Sequence, residues 1–214
     1  MSSITDYIVQ RLLILPGIIV GLSFHEYGHA KVSSMLGDPT PRYQGRVSLN
    51  PAAHIDPIGF ILLLVIGFGW GKPVQIDPRY YKHRRLDAFL VSIAGVVINL
   101  LLAFAGCALW RVIYLAAPDF LIGGTTGAYI VNNILAGFIS INLVLMVFNL
   151  IPLPPLDGFG VITQIFNLET KSWYDKFYRF GPAVLMLLIV LNITDKILTP
   201  VVSSLYSLIV GIFF

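Results

Sequence analysis

Charged residues divide this chain into apolar runs, several of them long enough to cross a lipid bilayer as helices. The first covers positions 4–36, is uncharged over 12–24, and contains Pro16, where a bend is expected. From 37 to 57 the composition shifts to Gly, Pro, Asn, Arg and Asp, and 43–49 has a weak alternation compatible with a short hairpin or extended edge. Positions 57–71 are uncharged but span only 15 residues and end in Gly67-Phe68-Gly69-Trp70-Gly71, a poor helix. A re-entrant or interfacial path is expected there. The runs 88–110 and 128–150 predict full crossings, and 180–198 predicts a crossing interrupted late by Asp195 and Lys196. Positions 197–214 form either a last shorter span or an interfacial helix.

The expectation is an all-α polytopic membrane protein with about five to six hydrophobic helical segments and a short re-entrant or β-hairpin region between the first two spans. With no internal repeat, low-complexity tract or soluble linker, residues 1–214 are read as a single membrane-embedded domain. Composition agrees: 57% of the 214 residues are hydrophobic and 12% charged, the latter about half the ~25% usual in soluble domains. The net charge of +3 comes from loop residues with no basic stripe, so no nucleic-acid partner is expected. Lys31, Arg42 and Arg46 precede the short apolar run, and Lys72, Arg79, Lys82, Arg84 and Arg85 follow it, whereas loop 118–127 holds Asp119 and no basic residue. Basic loops favour the cytoplasm, so the first group of loops is expected inside. The single cysteine, Cys107, excludes a disulfide framework and a cysteine zinc site.

The candidate chemistry lies in the second half of the first run, at Ser23-Phe24-His25-Glu26-Tyr27-Gly28-His29-Ala30. Histidines four apart on a helix leave from one face and can hold one metal ion, and the glutamate beside the first can act as general base for water. Zinc takes nitrogen and oxygen ligands, and a catalytic site keeps one position open. Ionisable groups inside an apolar segment are functional candidates by default. Asp157, the only acidic residue between Asp119 and Glu169, follows Ile151-Pro152-Leu153-Pro154-Pro155-Leu156. It is the natural third ligand, and the alternative of a helix cap over 158–167 stays open beside it. Two readings also stand for His54, near the metal or substrate, or satisfied by loop backbone.

With His25-Glu26-x-x-His29 early and Asn149-Leu150-Ile151-Pro152-Leu153-Pro154-Pro155-Leu156-Asp157-Gly158 late, the chain resembles the site-2 protease family of intramembrane zinc metalloproteases. The likeness runs over essentially the whole chain. Positions 50–59, Gly69-Trp70-Gly71-Lys72-Pro73-Val74 and Ser92-Ile93-Ala94-Gly95 look like its compact prokaryotic branch, although that branch often has proline where Val96 stands. The resemblance implies zinc on His25, His29 and Asp157, water activation by Glu26, and substrate or transition-state support from Asn149. It also implies a hairpin near Asn50 that offers an edge to an unwound substrate. The implied partner is a transmembrane protein substrate, met in a prokaryotic cell membrane with the active site toward the cytoplasm. Two other functions compete: a catalytically silent zinc-binding membrane protein, for which Glu26 has no use, and a zinc transporter, which needs ligands along a crossing path.

Overall fold

In an apolar surrounding a chain must satisfy its backbone hydrogen bonds internally, and the long runs do so as helices. The structure, a computed structural model, describes residues 4–67 and 69–214, so Phe68 of the expected glycine-rich turn lies outside the described residues. Its helices are α1 (Ile4–Met35), α2 (Thr40–Tyr43), α3 (Pro57–Val65), α4 (Arg84–Ala116), α5 (Pro118–Ile122), α6 (Thr126–Asn149), α7 (Asp157–Phe166), α8 (Tyr174–Val190) and α9 (Ile193–Phe213). Four of these, α1, α4, α6 and α9, are long and apolar enough to cross a membrane. The chain is a membrane protein. Its outward apolar residues, such as Leu101, Val112 and Leu115 on α4, are more than half exposed, as lipid-facing side chains are.

Helices α1, α4 and α6 pack against one another, and α9 leans on α6 and α4. The main core joins Val96, Ala103 and Cys107 of α4 to Ile139, Leu143 and Met146 of α6 and Ile209 of α9. Between α1 and α4 the chain makes a closed excursion. It enters at Ile55, runs through α3, turns at Gly67 (φ 89°), and returns to Gly71, which bridges Ile55 in antiparallel fashion. The returning limb lies so close to α3 that a Cβ on Gly59 would collide with the Trp70 carbonyl, and one on Gly69 with the Gly59 carbonyl. That approach accounts for the glycines there.

In two places the structure differs from the sequence expectation. No β-strand forms among the described residues, so the hairpin expected over 43–49 is absent. Pro41 instead sits in the short helix α2, and Gly45 (φ 67°) makes a turn. The crossing expected over 180–198 is broken, because Asn192 adopts a left-handed conformation (φ 54°) that ends α8 and starts α9. Asparagine tolerates that region better than most residues. The last stretch therefore belongs to a helix of spanning length.

A polar latch closes the loop end of the bundle. Asp38, fully buried just beyond α1, accepts hydrogen bonds from Ser33 Oγ (2.8 Å), the Thr40 amide (2.9 Å) and the Asp77 amide (2.8 Å). The Tyr81 hydroxyl meets the same Ser33 oxygen at 2.8 Å, with its ring packed against Ala88 and Val91 of α4. Burial alone would push Asp38 up, but hydrogen bonds from Thr40, Asp77 and Ser33 hold it below the ordinary carboxylate range. A carboxyl depressed in this way contributes stability above its unfolded pKa of about 3.9 and loses it as pH falls through the lower folded value. Asp38→Ala should therefore destabilise the protein by about 1.5–3 kcal/mol at neutral pH, with the gap from the parent narrowing below about pH 4. Thermal unfolding of both proteins in detergent across pH checks this, and a gap independent of pH would remove the latch.

Candidate metal centre

His25 and His29 leave α1 toward α4, and they fit there because position 95 carries no side chain. A Cβ on Gly95 would lie 2.5 Å from His29 Nε2 and 2.6 Å from His25 Nδ1. Each imidazole is held by its Nδ1. His29 Nδ1–H donates to the Val91 carbonyl (2.7 Å), and since a carbonyl only accepts, the proton must be on that nitrogen. His25 Nδ1 lies 2.7 Å from Asn99 Oδ1. The Asn99 amide is oriented by its own donations, from Nδ2 to the Gly21 carbonyl (3.2 Å) and to Asn142 Oδ1 (2.9 Å), so its oxygen faces His25 and accepts Nδ1–H. The two Nε2 atoms then face the same point, 3.2 Å apart.

Asp157 is brought to the histidines by a separate segment, at the start of α7. Pro152, Pro154 and Pro155 follow the end of α6, and α7 starts directly beneath it. A Cβ on Gly158 would collide with the Leu150 carbonyl, and one on Gly160 would lie 2.6 Å from Ser92 Oγ of α4. Leu156 holds the capping position with no side-chain cap bond, and Asp157 is the first residue of the helix. Its Oδ2 lies 3.1 Å from His25 Nε2 and 3.2 Å from His29 Nε2. That oxygen is buried and receives no hydrogen bond.

The three atoms thus form a triangle with edges of 3.1–3.2 Å. Zinc bonds of 2.0–2.2 Å at tetrahedral angles place neighbouring ligand atoms about 3.3 Å apart. Two imidazole nitrogens and a carboxylate oxygen converging at these distances form a group that can hold a metal ion, and the residues present fit zinc. Among the described residues no second group of three such donors accompanies them.

A cleft of ≈ 500 Å³ opens on this triangle, lined by both histidines, Glu26, Asp157, Asn149 and residues of α7 and α8 that include Tyr174 and Tyr178. Glu26 Oε2 accepts the Val74 amide (3.1 Å). The segment carrying that amide is itself pinned: the buried Arg46 guanidinium donates to the Lys72 carbonyl and to the Pro73 carbonyl (2.6 Å), and the Lys72 amide donates to the His54 carbonyl (2.7 Å). Asn149 Nδ2 donates to the Leu145 carbonyl (2.9 Å), one turn back in α6. His54 is fully buried, donates from Nε2 to the Ser48 carbonyl (2.6 Å), and does not line the cleft. Sequence reasoning missed the dependence of both histidines on Gly95, and the holding of Glu26 through Val74 and Arg46. The small pair Ala94-Gly95 was a signal for the first; nothing local marks the second.

The chain is 38% identical over 187 residues to a Bacillus subtilis (strain 168) protein that carries the provisional name zinc metalloprotease YwhC, covering 87% of this chain and 84% of that one. It is 27% identical over 191 residues to the provisionally named zinc metalloprotease Rip2 of Mycolicibacterium smegmatis, covering 86% and 69%. Rip2 of Mycobacterium tuberculosis (strain H37Rv) is 27% identical over 183 residues, covering 83% and 66%. No family model matches the chain, and no solved structure does.

Gly95→Ala places a methyl group where the imidazoles now lie. Zinc content after purification should fall at least about tenfold, in line with losses on disturbing the surroundings of metal ligands. Stoichiometric zinc in the folded variant would show that the cradle is looser than these distances imply.

Proposed function

We propose, since the chain belongs to the site-2 protease family of zinc metalloproteases, that it hydrolyses peptide bonds within or near transmembrane segments of membrane-protein substrates, as a step of regulated intramembrane proteolysis. The observation that carries this reading is the lone-pair triangle of His25, His29 and Asp157 with Glu26 beside it in one cleft. Zinc in the triangle supplies Lewis acidity toward a peptide carbonyl and toward water. Glu26 takes the proton from the attacking water and delivers it to the leaving amine. The Val74 amide on Oε2 fixes the carboxylate and leaves Oε1 for that exchange. Asn149 has a second Nδ2 hydrogen beyond the one given to Leu145, and donates it to the carbonyl oxygen as charge develops there. His54 acts on the site only through its backbone, its carbonyl holding the Lys72 amide two residues from Val74.

A helical substrate hides its amides and must be locally extended before attack. The segment 72–76 is neither helix nor strand and enters the cleft wall through Pro73, Val74 and Ile76, so it is the backbone edge against which such a stretch can lie. Charge supports a cytoplasmic site, since Lys72, Lys82, Arg84, Arg85, Lys171 and Lys176 belong to the loops and helix starts at its end of the bundle, while loop 118–127 at the other end has no basic residue.

The test uses purified protein in lipid vesicles with a transmembrane substrate. Glu26→Gln should keep its zinc and lose about 10²–10⁴-fold in cleavage rate, while Asp157→Ala should lose the metal. Cleavage by Glu26→Gln at the parental rate would remove Glu26 as the base.

A further inference from the structure

We propose that Asn142 of α6, which makes no hydrogen bond to a metal ligand and does not line the cleft, is a positioning residue that selects the zinc-binding form of His25 through Asn99. The inference rests on the zinc site described above.

Asn99 and Asn142 are both fully buried between α1, α4 and α6. Two buried amides in an apolar bundle promote helix association whatever else they do. Their polarity shows the further role. Asn142 Nδ2 donates to the Phe138 carbonyl (2.8 Å), an acceptor that cannot reverse. Asn142 therefore turns Oδ1 toward Asn99, which donates to it from Nδ2 at 2.9 Å. Asn99 in turn presents Oδ1 to His25 Nδ1 at 2.7 Å. The proton order runs one way along the chain, from His25 through two amides to a backbone carbonyl. If the Asn99 amide were reversed, its NH₂ would face Nδ1, and His25 would have to carry its proton on Nε2, directed at Asp157 and the metal position. The Gly21 carbonyl, 3.2 Å from Asn99 Nδ2, is a second anchor, so removing Asn142 weakens the selection without abolishing it.

The experiment uses the full chain in detergent micelles, with zinc affinity measured by competition against a chromophoric chelator. Asn142→Leu keeps the bulk but offers Asn99 no acceptor, and should weaken zinc binding by about 10–100-fold, as loss of a partner to a metal ligand does. Asn142→Asp, as a carboxylic acid, reproduces both the acceptor toward Asn99 and the donor toward Phe138, and should stay within about threefold of the parent on the same scale. A role in packing alone predicts equal zinc affinity for all three folded proteins, with differences only in unfolding of the zinc-free forms. Nitrogen-15 NMR of the zinc-free parent gives a test that needs no variant: His25 should carry its proton on Nδ1. Parental zinc affinity in Asn142→Leu, zinc loss in Asn142→Asp, or an Nε2–H tautomer at His25 would each overturn the relay. Absence of zinc binding in the parent would instead overturn the metal site itself.

Discussion

Three lone pairs pointed at one another across 3.1–3.2 Å inside an apolar bundle are the constraint from which the other features follow. A carboxylate and two imidazoles in a low-dielectric interior need a positive charge shared among them, which a bound metal ion supplies. The surrounding structure enforces this arrangement. Carbonyl and amide acceptors hold both Nδ1 atoms, which turns each Nε2 toward Asp157. Gly95 removes the side chain that would push the rings apart. Proline-rich chain after α6 delivers a carboxylate to the same point.

The same contacts also hold the bundle together. Helices α1, α4 and α6 form the central packing of the protein, and a hydrogen-bond chain runs through all three: His25 meets Asn99, which donates to the Gly21 carbonyl and to Asn142, which donates to the Phe138 carbonyl. In lipid, apolar side chains gain nothing by leaving tails for other side chains, so close backbone approach and buried hydrogen bonds are what bring helices together. The polar groups needed for chemistry therefore double as the groups that fix helix positions. This explains how His25 persists in a segment otherwise suited to a membrane interior.

Outside the bundle, loop residues reach the site by backbone rather than by side chain. Arg46 and the His54 carbonyl hold 72–73, the next residue gives its amide to Glu26, and Asp38 anchors the far end of the segment at Asp77.

By itself the sequence determined the helical membrane character, through the length and spacing of apolar runs, and it singled out the candidate donors, through His25-Glu26-x-x-His29 and the isolated Asp157. Those signals are local: a helix period places His25 and His29 on one face, and an uncharged run of spanning length has few other ways to satisfy its backbone. Only the tertiary structure decided what depends on contacts between distant segments. Asn192 split an apolar stretch that reads as one crossing, and a weak alternation over 43–49 yielded to a short helix and a glycine turn. The acceptors that meet each histidine Nδ1, Asn99 Oδ1 and the Val91 carbonyl, lie 74 and 62 residues along the chain from their partners. No sequence pattern encodes which nitrogen carries a proton, because that choice belongs to whatever acceptor the fold brings against the ring.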